Sequence, residues 1–121
     1  MENTYQTILA STVRAATTNG ADNVNYGARG IHVVIDVTAV PGIDTVTPTI
    51  QGYDPASGKY YTILAGAAIV ATGTVVMRVY PSQVAAANVA VADCLPSMWR
   101  VIMTHSAATN FTYSVGASLL G

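Results

Sequence analysis

Formal charge is what this sequence has least of: 9% of its 121 residues are Asp, Glu, Lys or Arg, with one Lys (Lys59) and one Glu (Glu2). A soluble domain of ordinary composition carries about 25%. A net charge of −1 leaves no basic stripe to follow a nucleic-acid backbone or an anionic membrane surface, so neither partner is expected. Cysteine is nearly absent too. Cys94 is the only one, which excludes an intrachain disulfide scaffold and a thiolate metal cluster. Beside Leu95 and Pro96, it is expected as a small buried apolar residue rather than an activated thiol. The opening Met1-Glu2-Asn3-Thr4-Tyr5-Gln6 is polar and lacks the following apolar core of a secretory signal, so the chain is expected to fold where it is made.

Long apolar runs are scarce. Tyr60–Met77 has no formal charge over a length close to that of a membrane span. Gly66, Gly73 and three threonines interrupt it, however, and its β-branched ends suit two strands and a connection. No amphipathic helix, internal repeat or heptad is visible, which disfavours a parallel α/β fold. The mass of 12.5 kDa suits a single domain over residues 1–121. By the usual scaling it should expose about 6,200 Å² when folded, so a core needs no covalent staple.

What the sequence does have is short runs of period two bounded by Gly, Pro, Asn and Asp. Ile31, Val33, Ile35 and Val37 form one face of a strand, with His32, Val34, Asp36 and Thr38 on the other. Val46, Pro48 and Ile50 face inward on the next. Asp54-Pro55-Ala56-Ser57-Gly58 then supplies a hairpin turn into Lys59–Leu64, with the Asp54 carboxylate bonding its own turn amides. Val75, Met77 and Val79 make a further inward set, ended by Pro81. Trp99, Val101 and Met103 make another, and Ser106–Asn110 turns the chain into Phe111, Tyr113 and Val115.

Three segments are less regular. Tyr5–Ala15 alternates weakly, Leu9 and Val13 against Ile8 and Thr12, so residues 1–16 read as an edge strand or an N-terminal arm. Thr17–Gly30 reads as a turn-rich connection reaching away from the sheet. Pro81–Pro96 reads as a crossover, extended or with one or two helical turns. Seven or eight strands with a long crossover before the last pair predict an all-β fold, an antiparallel two-sheet β-sandwich of jelly-roll type.

Catalytic and metal chemistry find little raw material. His32 and Asp36 share a strand face but stand about 13 Å apart along it. His105 and Ser106 diverge as sequence neighbours, which leaves His32 as a rim residue on the sheet surface and His105 at a strand end. There is no His-x3-His pair and no acidic calcium loop, so no metal or cofactor is expected and the chain is read as a non-enzyme. Gly27-Ala28-Arg29-Gly30 precedes a strand and offers no helix terminus to a phosphate. Asn110-Phe111-Thr112 fits the glycosylation triplet by coincidence. Trp99 belongs with the core by parity and not with a sugar-stacking surface. Tyr5, Tyr26, Tyr53, Tyr60 and Tyr80 face outward by parity or loop position and are the candidate interface residues, cross-strand pairing being the alternative.

Four blocks carry a family resemblance: Gly30-Ile-His-Val-Val-Ile-Asp-Val-Thr-Ala39, Thr49-Ile-Gln-Gly-Tyr-Asp-Pro-Ala-Ser-Gly-Lys-Tyr-Tyr-Thr-Ile-Leu64, Met77-Arg-Val-Tyr-Pro81 and Leu95-Pro-Ser-Met-Trp-Arg-Val101. Together they resemble small β-sandwich structural proteins of tailed bacteriophages. The resemblance implies a capsid decoration or cement protein on the exterior of the phage head, made in the host cytoplasm. It also implies the major capsid protein as partner and a homotrimer at three-fold positions. A tail, baseplate or head-fibre subunit is the alternative virion role, and a carbohydrate-binding module is the more distant one.

Overall fold

Alternating β-branched residues build nearly everything in the computed structural model, which describes residues 3–121. Ten strands follow in chain order: β1 (Thr4–Arg14), β2 (Thr18–Asn19), β3 (Asn23–Val24), β4 (Gly30–Ala39), β5 (Val46–Asp54), β6 (Lys59–Ala65), β7 (Gly73–Val79), β8 (Ala90–Val91), β9 (Met98–His105) and β10 (Phe111–Leu120). One sheet runs β1-β10-β4-β7-β8 and the other β2-β9-β5-β6, with β3 also pairing β9. All pairings are antiparallel except β7 with β8.

Taking β2 and β3 as one interrupted strand, and β8 as an addition at the edge, leaves eight positions. They run 1-8-3-6 in one sheet and 2-7-4-5 in the other, the double Greek key of a jelly roll. The excess over the seven or eight strands expected comes from the two-residue pieces β2, β3 and β8.

The inward faces are those that the alternation specifies. Ile31, Val33, Ile35 and Val37 of β4 meet Val46 and Ile50 of β5, Trp99, Val101 and Met103 of β9, and Phe111, Tyr113 and Val115 of β10 in one core. The accessible surface is 6038 Å², close to the roughly 6,200 Å² that size alone predicts. Tyr60–Met77 resolves into β6, a connection and β7.

The three irregular segments resolve differently: the first is an edge strand whose alternation is broken, the second departs from expectation, and the third takes the extended form of the crossover. Two register shifts in β1, on either side of Leu9, place both Ile8 and Leu9 against the core and leave Val13 58% exposed. A bulge breaks strict alternation, so parity does not carry through it. Ile8 reaches Gly20, where an added Cβ would lie 2.8 Å from its methyl and 2.8 Å from the Val101 carbonyl. Thr17–Gly30 does not reach away from the sheet but lies along β9. Asn25 holds it there by donating to the Ala28 and Leu95 carbonyls and accepting from the Gly27 and Ala28 amides. Pro81–Pro96 is an extended crossover with no helix, pinned by β8 and by an Ala86–Ala90 bridge.

The registers place 15–17, 40–45, 66–72 and 106–110 together at one end of the sandwich. Segments 20–29, 54–59 and 80–97 lie at the other, beside the first and last described residues.

Candidate interaction surfaces

On the outer face of the β2-β9-β5-β6 sheet, Tyr60 organises a polar cluster. Its hydroxyl donates to the Asp22 carboxylate at 2.8 Å. The Arg100 guanidinium lies 3.5 Å from its ring centroid, and Arg100 Nε donates to Gln51 Oε1 at 2.8 Å. Asp22 pushes the phenol's pKa above its ordinary value by accepting its proton in a hydrogen bond. Tyr53 stands directly opposite Tyr60 in the ladder, with ring centroids 4.9 Å apart. The two rings pack as a cross-strand pair.

The other expected tyrosines separate. Tyr26 is 88% exposed at a loop tip. Tyr5 is 70% exposed and lies diagonally over Gly116, where an added Cβ would meet its hydroxyl at 2.8 Å. Tyr80 donates its hydroxyl to the Gly121 carbonyl at 2.8 Å. Of the five, Tyr5 and Tyr26 keep the largest free surface. Tyr61, which outward parity does not select, is 47% exposed while its ring covers Gly52.

The two histidines occupy opposite ends. His105 continues the inward parity of Trp99, Val101 and Met103 and is buried. Its Nε2 is 3.0 Å from the Tyr113 hydroxyl, and its ring meets Phe111 edge-on. Burial first, and then Arg14, hold its pKa below the usual value, while burial raises that of Tyr113. Arg14 stacks 4.9 Å from the Tyr113 centroid and donates to the Tyr113 carbonyl. His32 lies at the other end, opposite Arg78 on the outer face of the β1-β10-β4-β7-β8 sheet, and lines a cleft of about 380 Å³. Partial burial and then Arg78 lower its pKa. Among the described residues no three His, Cys, Asp or Glu cluster as metal ligands.

Cys94 is exposed, not buried. Leu95 takes the inward position, tied by its amide to the Arg29 carbonyl, so alternation turns the thiol outward. Trp99 is 1% exposed, which removes it as a sugar platform. Asp54 accepts from the Ala56 amide and the Ser57 hydroxyl, which lower its pKa, and Gly58 takes φ +72° to close the turn.

The loop ends differ in character. Segments 15–17, 40–45, 66–72 and 106–110 carry one formal charge, Asp44, which accepts from the Thr109 hydroxyl at 2.7 Å. Ile43 is 84% and Val70 61% exposed there. The opposite end holds Asp22, Arg29, Asp54, Lys59 and Asp93. Among the described residues no helix is long and apolar enough to cross a membrane.

No protein-family profile matches the chain. No curated protein matches it either. Among solved structures, a chain from "Structure of infectious bursal disease virus Gx strain" superposes along 97% of this chain with a TM-score of 0.53 and 11% identity. The likeness is one of fold. This chain spans 31% of that chain's length.

Proposed function

We propose that this chain is a structural subunit of a virus particle and, more finely, a decoration protein that cements the head of a tailed bacteriophage without catalysing a reaction. The observation that carries the virion part is the 1-8-3-6 and 2-7-4-5 strand order, an architecture that viral capsid domains use. The overlay on a chain from a virus structure along nearly the whole sequence supports it. Fold alone does not assign function. The decoration role rests on the strand and turn blocks around residues 30–39, 49–64, 77–81 and 95–101 and on the charge-poor surface.

In this reading the end bearing Ile43 and Val70 seats on the shell, where uncharged loops can be covered at small desolvation cost. The partner is the major capsid protein, and a closed trimer at three-fold positions prevents open-ended pairing of sheet edges. Stabilisation follows from mass action. A ligand that binds only the assembled shell at 100 times its Kd contributes about 2.7 kcal/mol per site.

Cosedimentation of the purified chain with shells lacking it tests the role. Saturable binding to assembled shells, and none to unassembled capsid subunits, is expected. No binding to shells, with the chain found instead on tails or fibres by antibody labelling, would replace decoration with the other virion role.

A further inference from the structure

The cleft at the polar end is lined by His32, Arg78, Ser82 and Gln83 together with Tyr80, Val84 and Leu120. Antiparallel pairing sets His32 directly opposite Arg78, so imidazole and guanidinium stand side by side on the outer face of the sheet. The crossover leaving β7 adds Ser82 and Gln83. Each of these four side chains can donate a hydrogen bond, and no Asp or Glu lines the space. Arg14 and Arg100 are occupied by the Tyr113 carbonyl and by Gln51, whereas no such bond ties the half-buried Arg78 among the described residues. Tyr80, its hydroxyl held by Gly121, forms one wall, with Val84 and Leu120 as apolar neighbours.

We propose that this cleft binds a carboxylate carried on a short apolar body, with Arg78 as the charge partner and His32, Ser82 and Gln83 as further donors. One cation suits a monoanion, and the planar guanidinium fork matches a carboxylate's two oxygens. The neutral state that burial and Arg78 favour in His32 leaves it one N–H to donate and avoids a second buried cation. A volume of about 380 Å³ lies within the roughly 300–1,000 Å³ of small-ligand sites. The carboxylate comes either from a free organic acid or from an acidic side chain of a protein partner. The site is independent of the virion reading, because the isolated chain contains all of it.

Titration of the isotope-labelled chain with sodium butyrate, followed by amide NMR at constant ionic strength, tests it. Saturable shifts confined to residues 32, 78–80, 82–84 and 120 are expected, with none from butyramide and an upward shift of the His32 titration when butyrate is bound. Arg78→Gln should weaken butyrate by about tenfold or more, and Arg78→Lys by less. A parallel titration uses the peptide acetyl-Gly-Glu-Gly-amide. Saturation by the peptide identifies a protein side chain as the source and saturation by butyrate alone a free acid, and either supports the site. Equal shifts from butyramide, undiminished binding to Arg78→Gln, or no saturable shift with butyrate or peptide would overturn it. The butyrate and butyramide comparison on the unaltered chain decides the question even if Arg78→Gln does not fold.

Discussion

The two ends of the sandwich each hold one histidine, and they use it in opposite ways. At the charge-poor end His105 is buried within the core, against Phe111 and Tyr113, beneath loops whose only formal charge is already bonded. At the polar end His32 lines an open cleft beside Arg78, whose side chain makes no hydrogen bond among the described residues. One end is therefore closed by packing and nearly free of charge. The other presents hydrogen-bond donors, and exposed apolar side chains occur at both, Ile43 and Val70 at the first and Val84 at the second.

The largest expected effect tests the packing of the closed end. Phe111→Ala, at a fully buried position, should cost about 3–5 kcal/mol in urea unfolding, whereas Leu120→Ala, half-buried at the cleft, should cost less than about 2 kcal/mol. Equal costs would remove the distinction between the ends.

Two glycines sharpen it next. At Gly30 an added Cβ would run into the Val79 backbone carbonyl, which cannot swing aside, so Gly30→Ala should cost about 1–3 kcal/mol. At Gly116 the obstacle is the far end of the Tyr5 side chain, which can move. Gly116→Ala should therefore change stability by only about 0.5 kcal/mol. The same unfolding curves check both, and a larger cost at Gly116 would mean that Tyr5 is held far more firmly than its exposure implies.

Acid should separate the histidines. Both have folded pKa values below the ordinary 6.5. In the window between the folded value and 6.5 the unfolded chain binds more protons, so their contribution is complete above 6.5 and is lost as pH falls through that window. Thermal melts from about pH 7 to about pH 5 should show declining stability. His105→Gln should flatten that decline more than His32→Gln, because His105 is the more deeply buried. The reverse order would show that the cleft is the more pH-sensitive end.

The smallest effect on folding is expected at the loops. Ile43→Asp and Val70→Asp should each change stability by about 0.5 kcal/mol or less while weakening attachment to shells, whereas Tyr26→Ala at the opposite end should leave attachment unchanged. Cosedimentation reads the difference, and loss of binding only in Tyr26→Ala would reverse the proposed orientation.

Much of the fold was legible because it is written in local alternation. Ile31 to Val37 and Trp99 to Met103 each declare an inward face without reference to any other strand. The same parity extended by two residues would have placed His105 in the core, but a histidine at a strand end reads as polar and the inference stops short. Parity fails at Ile8 and Leu9, since a bulge leaves no trace in composition. The pairing of Thr18–Asn19 and Asn23–Val24 with β9 is likewise hidden, because it depends on residues far along the chain. The cleft was illegible for the same reason. His32, Arg78 and Leu120 meet through the registers of β4 with β7 and β10, and only the folded sheet brings them together.

The central claim, that this jelly roll reinforces a shell, is tested most directly by the temperature at which particles release their DNA with and without the chain bound. Decorated particles should hold their contents to a higher temperature, with the gain growing as the chain's concentration rises above its Kd. Identical release temperatures for bare and fully decorated particles would contradict the account.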